Sequence, residues 1–162
     1  MSLRAWLVFP AILAVFLVVG CGGGGGSNAK LVPVGGTLLV DGAALDGVSV
    51  TFVPDISMKD SSGGVGTTDA TGAFTVTELS QNRPGLPPGK YTLTYSRMRL
   101  PDGSAAPKPE AGKPVDPGVI QVETFPDHLT TLNPRVTANQ VEIPAAGNPK
   151  LELKISKKGA LR

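Results

Sequence analysis

The chain has 162 residues, with 15 Lys/Arg against 13 Asp/Glu, a formal net charge of +2 and a single histidine, His128. Near-neutrality supplies no basic stripe of the kind nucleic acid requires. The single cysteine, Cys21, excludes an intramolecular disulfide and a thiolate metal cluster, and the lone histidine excludes a two-histidine zinc site within one chain.

At the start, Arg4 precedes an unbroken non-polar run, Ala5–Val19. The run closes in Val18-Val19-Gly20-Cys21, and five glycines, Gly22–Gly26, follow. A basic start, a short apolar run and a small residue before a cut are the three parts of an export signal. At about 1.5 Å per residue the run reaches roughly 22 Å, short of the roughly 30 Å hydrocarbon core of a bilayer. Pro10 interrupts it, and no Lys/Arg cluster follows to stop transfer.

A cysteine directly after the cut resembles the lipobox of bacterial lipoproteins. The resemblance implies that residues 1–20 are a cleaved signal peptide and that Cys21 is the lipid attachment site, carrying a diacylglyceryl thioether and an amine acylated by a fatty acid such as palmitate. Two or three chains make a stable anchor where one does not. The implied location is the bacterial cell envelope, on a membrane, facing the periplasm or the cell surface. Residues 21–30 then form a lipidated cysteine and a Gly-rich tether with a reach of about 15–18 Å.

Residues 31–156 read as one domain with no convincing helical period, followed by a basic tail over 157–162. Val34–Val40 is a candidate strand, ended by the turn pair Asp41-Gly42. Val48, Val50 and Phe52 alternate with Ser49 and Thr51, as in a half-buried strand. Val65–Thr68 is a weaker candidate. In Asp69-Ala70-Thr71-Gly72 an aspartate opens the turn and a glycine takes positive φ. Phe74 and Val76 alternate with Thr75 and Thr77. Pro87-Pro88-Gly89 leads into Tyr91, Leu93 and Tyr95, which alternate with Thr92, Thr94 and Ser96. Val119–Thr124 and Val136–Ile143 are further candidates, and Leu151, Leu153 and Ile155 alternate with Glu152, Lys154 and Ser156. This spacing predicts an all-β fold, a seven- or eight-stranded antiparallel β-sandwich. Val50, Phe52, Phe74, Leu93 and Leu153 are expected in its core.

Between Tyr95 and Ile120 lies an insertion, Arg97–Gly118, with five prolines and three glycines. It reads as a solvated, partly polyproline spacer, or alternatively as a contact surface.

Three segments resemble the carboxypeptidase-regulatory-like domain in order and spacing. They are Gly36-Thr37-Leu38 with Asp41-Gly42 and Gly47–Pro54, then Gly66–Phe74, then Pro88-Gly89-Lys90-Tyr91-Thr92-Leu93. The resemblance runs from about Val34 to Ile155 and is closest to small bacterial lipoproteins built from one such domain. It implies a transthyretin-like sandwich and says little about a ligand.

The catalytic inventory is thin. His128 follows Pro126-Asp127 in a stretch without strand periodicity and is expected at the surface. No Gly-x-Ser-x-Gly elbow occurs, and Asp55, Asp60, Asp69 and Asp102 do not follow a calcium-loop pattern. The related transthyretin-like hydrolases of 5-hydroxyisourate use several histidines and end in Tyr-Arg-Gly-Ser, whereas this chain ends Gly159-Ala160-Leu161-Arg162. The expectation is a protein that is not an enzyme, with no catalytic, cofactor-binding or metal residues. It is expected to be a lipid-anchored envelope domain that binds or positions another surface component, with membrane lipid reached through acylated Cys21. A protein partner would meet an exposed sheet edge or the Arg97–Gly118 loop. The alternative is a binding module for a glycan or small ligand, which would need a pocket or an aromatic platform. Phe52, Phe74, Phe125, Tyr91 and Tyr95 are the aromatics after the tether, and most read as core.

Overall fold

A computed structural model describes residues 30–59, 61–107, 118–133 and 139–158. The expected signal peptide, Cys21, most of the tether, residues 108–117 of the insertion, residues 136–138 of a candidate strand and the end of the basic tail lie outside the described residues. Among the described residues no helix is long and apolar enough to cross a membrane.

The expectation of an all-β chain holds. In chain order the strands are β1 (Val34–Val40), β2 (Ala43–Ala44), β3 (Ser49–Pro54), β4 (Gly64–Thr67), β5 (Ala73–Thr75), β6 (Thr77–Glu78), β7 (Arg83–Pro84), β8 (Gly89–Ser96), β9 (Met98–Arg99), β10 (Val122–Glu123), β11 (Gln140–Ile143) and β12 (Asn148–Ile155). One short helix, α1 (Asp127–Thr130), lies between β10 and β11. A six-stranded sheet has the order β11-β8-β3-β4-β6-β7, and a four-stranded sheet places β1 between β12 on one side and β2 and β5 on the other. The pair β9–β10 forms a separate two-stranded ribbon.

The period-two runs became strands because alternate residues have a core to enter. In β3 and β8, Val50 is registered with Tyr95, Phe52 with Leu93 and Pro54 with Tyr91. Val50, Phe52, Tyr91, Leu93 and Tyr95 are all buried. Val34, Leu38, Val40, Phe74 and Ile155 of the four-stranded sheet join them in one hydrophobic cluster. Phe52 sits where the two sheets meet, its ring 6.4 Å from that of Phe74 and 6.1 Å, edge-on, from that of Tyr91.

Three features depart from the sequence reading. Twelve strand segments replace the expected seven or eight among the described residues. One reason is that the run Phe74–Thr77 divides between sheets at Val76. There the N–H donates to Val34 and the carbonyl accepts from Gly85, so β5 stays on β1 while β6 joins β4. Second, β1 and β12 pair in parallel rather than antiparallel. The first and last strands are joined by the whole intervening domain, so no hairpin constrains their direction. Their register slips between Val34 and Gly36, where any side chain at Gly36 would collide with the Leu151 carbonyl. Third, Leu153 is only partly buried, because β12 ends its sheet and has a neighbour on one side alone.

The pairings place β1, β4, β8 and β12 with their starts, and β3 and β11 with their ends, at one end of the sheets. Lys30 enters there, since Val32 bridges to Leu86 ahead of β8. The β1–β3 connection, the β4–β5 turn and the ribbon lie at the other end.

Phe52→Ala should cost about 3–5 kcal/mol and Leu153→Ala about 1–2 kcal/mol. Urea denaturation of the two variants beside the parent chain checks the ranking, and equal losses would contradict it.

Candidate functional site

Beyond Ser96 the chain leaves its sheet as Arg97-Met98-Arg99. Both arginines reach back to Asp46, in the turn before β3. Nη2 of Arg97 donates to Oδ1 at 3.0 Å and Nη2 of Arg99 to Oδ2 at 2.8 Å. Nε of Arg97 and Nη2 of Arg99 also donate to the Asp46 carbonyl, each at 2.9 Å. The Arg99 side chain is 8 % exposed and that of Asp46 54 %, so the inner guanidinium is held by a carboxylate that keeps contact with solvent. Hydrogen bonding from Arg97, then from Arg99, holds the Asp46 carboxyl below its ordinary range against the opposing effect of burial. Gly47 has φ +67°, and a Cβ there would lie 2.9 Å from Nη2 of Arg99, so glycine both makes the turn and clears space for the arginine.

Glu123 fastens the other strand. Its carboxylate accepts from Ser96 Oγ at 2.5 Å and from the N–H groups of Arg97, Thr124 and Phe125, each at 2.9 Å. Burial pushes its pKa up, and these donors together bring it below the ordinary value. In the register of the ribbon, Met98 lies opposite Glu123 and Arg99 opposite Val122.

The expectation of a spacer from Arg97 onward is therefore corrected at its start, where Arg97 and Arg99 are fastened to the domain. Ile120 and Val122, expected within a regular strand, are exposed, Ile120 by 71 %. With Leu100, Pro101, Pro107 and Val119, Ile120 lines an open groove of about 460 Å³. The local sequence signal for this joint is the alternation Arg-Met-Arg; its acceptor lies 51 residues away in sequence, beyond any local pattern.

A second groove, of about 390 Å³, crosses the face of β8 and β11 beside Asp55. Here Lys90 is registered with Glu142 and Thr92 with Gln140. The groove is polar, and Tyr91 offers it no aromatic platform because that ring packs inward on Phe52.

The acidic residues weighed for calcium serve turns. Asp55, Asp69 and Asp102 each accept, through Oδ1, the N–H and the hydroxyl of the residue two positions on, at 2.7–2.9 Å. Asp60 lies outside the described residues. No three His, Cys, Asp or Glu side chains among the described residues are grouped to hold a metal ion. His128 is exposed in α1, with Nε2 3.2 Å from the Ser156 carbonyl oxygen. From the basic tail, Lys157 places Nζ 5.0 Å from the centre of the Phe125 ring.

Glu78 is a buried acid with a structural setting. It accepts from the hydroxyl of Ser62, from Ser80 Oγ at 2.6 Å and from the Gln81 N–H at 2.8 Å. Burial pushes its pKa up, but the two hydroxyls and the backbone N–H groups of Gln81 and Ser80 outweigh it and hold the group at about 2.

No family model, no curated protein and no solved structure matches the chain.

Asp46→Ala should cost about 1–2 kcal/mol, since it strips charged hydrogen bonds from Arg99 at a half-exposed site. Trypsin should then cut after Arg97 and Arg99 faster than in the parent chain, as read by mass spectrometry of limited digests.

Glu78 sets an acid limit. Its folded pKa of about 2 lies below the ordinary 4.5, so its contribution is complete above about pH 4.5 and disappears as pH falls toward 2. Glu78→Gln should be less stable than the parent at pH 7, with the gap closing between pH 4.5 and 2. Thermal melts across that range check the convergence.

Proposed function

We propose that the chain is a lipid-anchored, non-catalytic domain of the bacterial cell envelope, held to a membrane by acylated Cys21, that binds or positions another surface protein. The sandwich reading, transthyretin-like in kind, is supported by the two sheets contributing to one hydrophobic cluster around Phe52. The signal, the cysteine after it and the glycine tether support the anchor.

The observation that carries the partner reading is the β9–β10 ribbon. It lies at the end of the sheets opposite Lys30, carries exposed Met98 and Val122 with exposed Ile120 just before β10, and is fixed through Asp46 and Glu123. Apolar side chains on a braced ribbon suit a protein contact, because little ordering cost remains to be met on binding. The non-catalytic reading is supported by the engagement of Asp46, Glu78 and Glu123 in structural hydrogen bonds. A second reading, a module for a glycan or small polar ligand, is favoured by the groove beside Lys90 and Glu142.

A photo-crosslinking residue placed at Ile120 in the full chain, in its own cells, should give one discrete protein adduct. The same residue at Thr37, exposed on the four-stranded sheet, should not. Equal products at both positions would remove the ribbon as the contact. In parallel, Cys21→Ser should abolish labelling by an alkyne fatty acid; retained labelling would remove the anchor.

A further inference from the structure

Two large aliphatic side chains stand out at the end of the sheets where Lys30 enters. Ile56 is 95 % exposed and Leu79 is 56 % exposed. Single exposed aliphatics are ordinary on protein surfaces. These two occupy neighbouring connections, because the Leu79 N–H donates to the Gly63 carbonyl at 3.1 Å and so joins the β6–β7 turn to the β3–β4 connection that carries Ile56.

Neither turn is exposed through looseness. Asp55 accepts both the N–H and the hydroxyl of Ser57, and its carbonyl accepts the Met58 N–H at 2.8 Å. Met58 then packs against the core cluster, which leaves Ile56 at the tip. On the other turn Glu78 holds Ser80 and Gln81, the two residues that follow Leu79.

Cations outnumber anions at this end. Lys30, Lys59, Arg83 and Lys150 are exposed at this end of the strands. Lys90 and Glu142 face each other across β8 and β11. The carboxylates of Asp55 and Glu78, held by hydroxyl and N–H donors, stay ionised here and offset part of that charge. Apolar tips with exposed lysine and arginine side chains at the same end are the chemistry that enters a bilayer interface, aliphatics at the acyl boundary and cations at the phosphates.

We infer that this end of the domain docks on a lipid bilayer, with Ile56 and Leu79 entering the interface and Lys30, Lys59 and Arg83 meeting headgroup phosphates. The occupant follows from where the chain outside the described residues joins: residues 1–29 lead directly into Lys30, on this end. The inference rests on the lipid-anchored reading, which brings the bilayer within reach. It adds an orientation, with the β9–β10 ribbon directed away from the membrane.

The test uses the processed, lipidated chain, which carries no tryptophan of its own because Trp6 leaves with residues 1–20. It is reconstituted in vesicles of phosphatidylethanolamine and phosphatidylglycerol containing lipids brominated high on the acyl chain. Single tryptophans are introduced as Ile56→Trp, Leu79→Trp, Ala70→Trp and Ile120→Trp. Emission from positions 56 and 79 should shift to the blue and be quenched about twofold or more, as expected of side chains at the acyl boundary. Positions 70 and 120, at the far end, should be unaffected. Adding Leu79→Asp to the Ile56→Trp chain should reduce the quenching at 56, whereas undiminished quenching there would show that the two anchors do not act together and overturn the paired docking. Flotation of the vesicles after a high-salt wash reports the anchor separately. A chain that floats without quenching at 56 and 79, or with quenching at 120 instead, overturns the docking. One that does not float overturns the anchored reading and the docking with it.

Discussion

The first and last strands of the described domain, β1 and β12, lie side by side and run in the same direction, in register from Gly36 with Leu151 to Val40 with Ile155. A parallel pair cannot close through a short turn, so everything between Asp41 and Gly147 serves as its crossover. The arrangement depends on Gly36, where β1 bulges under the Leu151 carbonyl, and on β5 and β2, which hold the other side of β1. It also fixes the polarity of the molecule. Because both strands begin together, the chain enters beside the turns that carry Ile56 and Leu79, and the ribbon lies at the opposite end.

The acidic residues are used as acceptors of several hydrogen bonds at once. The pattern Asp-x-Ser/Thr occurs at Asp55, Asp69 and Asp102 with the same two-bond geometry. Glu78 and Glu123 do the same beside their own strand pairings, and Asp46 joins the turn before β3 to Arg97 and Arg99. A carboxylate surrounded by donors stays ionised well into acid, which suits a fixed joint and disfavours the proton exchange that general acid–base chemistry requires.

Strands with one buried face were legible in the sequence, and their partners were not. Val50–Phe52 and Tyr91–Tyr95 could be read because alternation reports which residues leave water. The division of Phe74–Thr77 could not, because it depends on Val34 and Gly85, which lie elsewhere in the chain. Leu151–Ile155 alternates most cleanly of all, yet Leu153 is only partly buried, since a sequence pattern does not say whether a strand is central or at an edge. The same limit hid the joint at Asp46: Arg97 and Arg99 looked like the start of a polar insertion until the fold brought their acceptor to them. The anchor proposed at Cys21, by contrast, rests on the sequence alone, on a cysteine placed after an apolar run.

The parallel ladder also governs how the domain responds to pulling. The chain enters β1 at one end and leaves β12 at the other, so tension between the two is directed along the strands. The rows from Gly36–Leu151 to Val40–Ile155 then resist together in shear, and must fail almost at once. An antiparallel pair held at adjacent ends would open one row at a time. Stretched between its two ends, this domain should behave as a stiff link that yields late and abruptly.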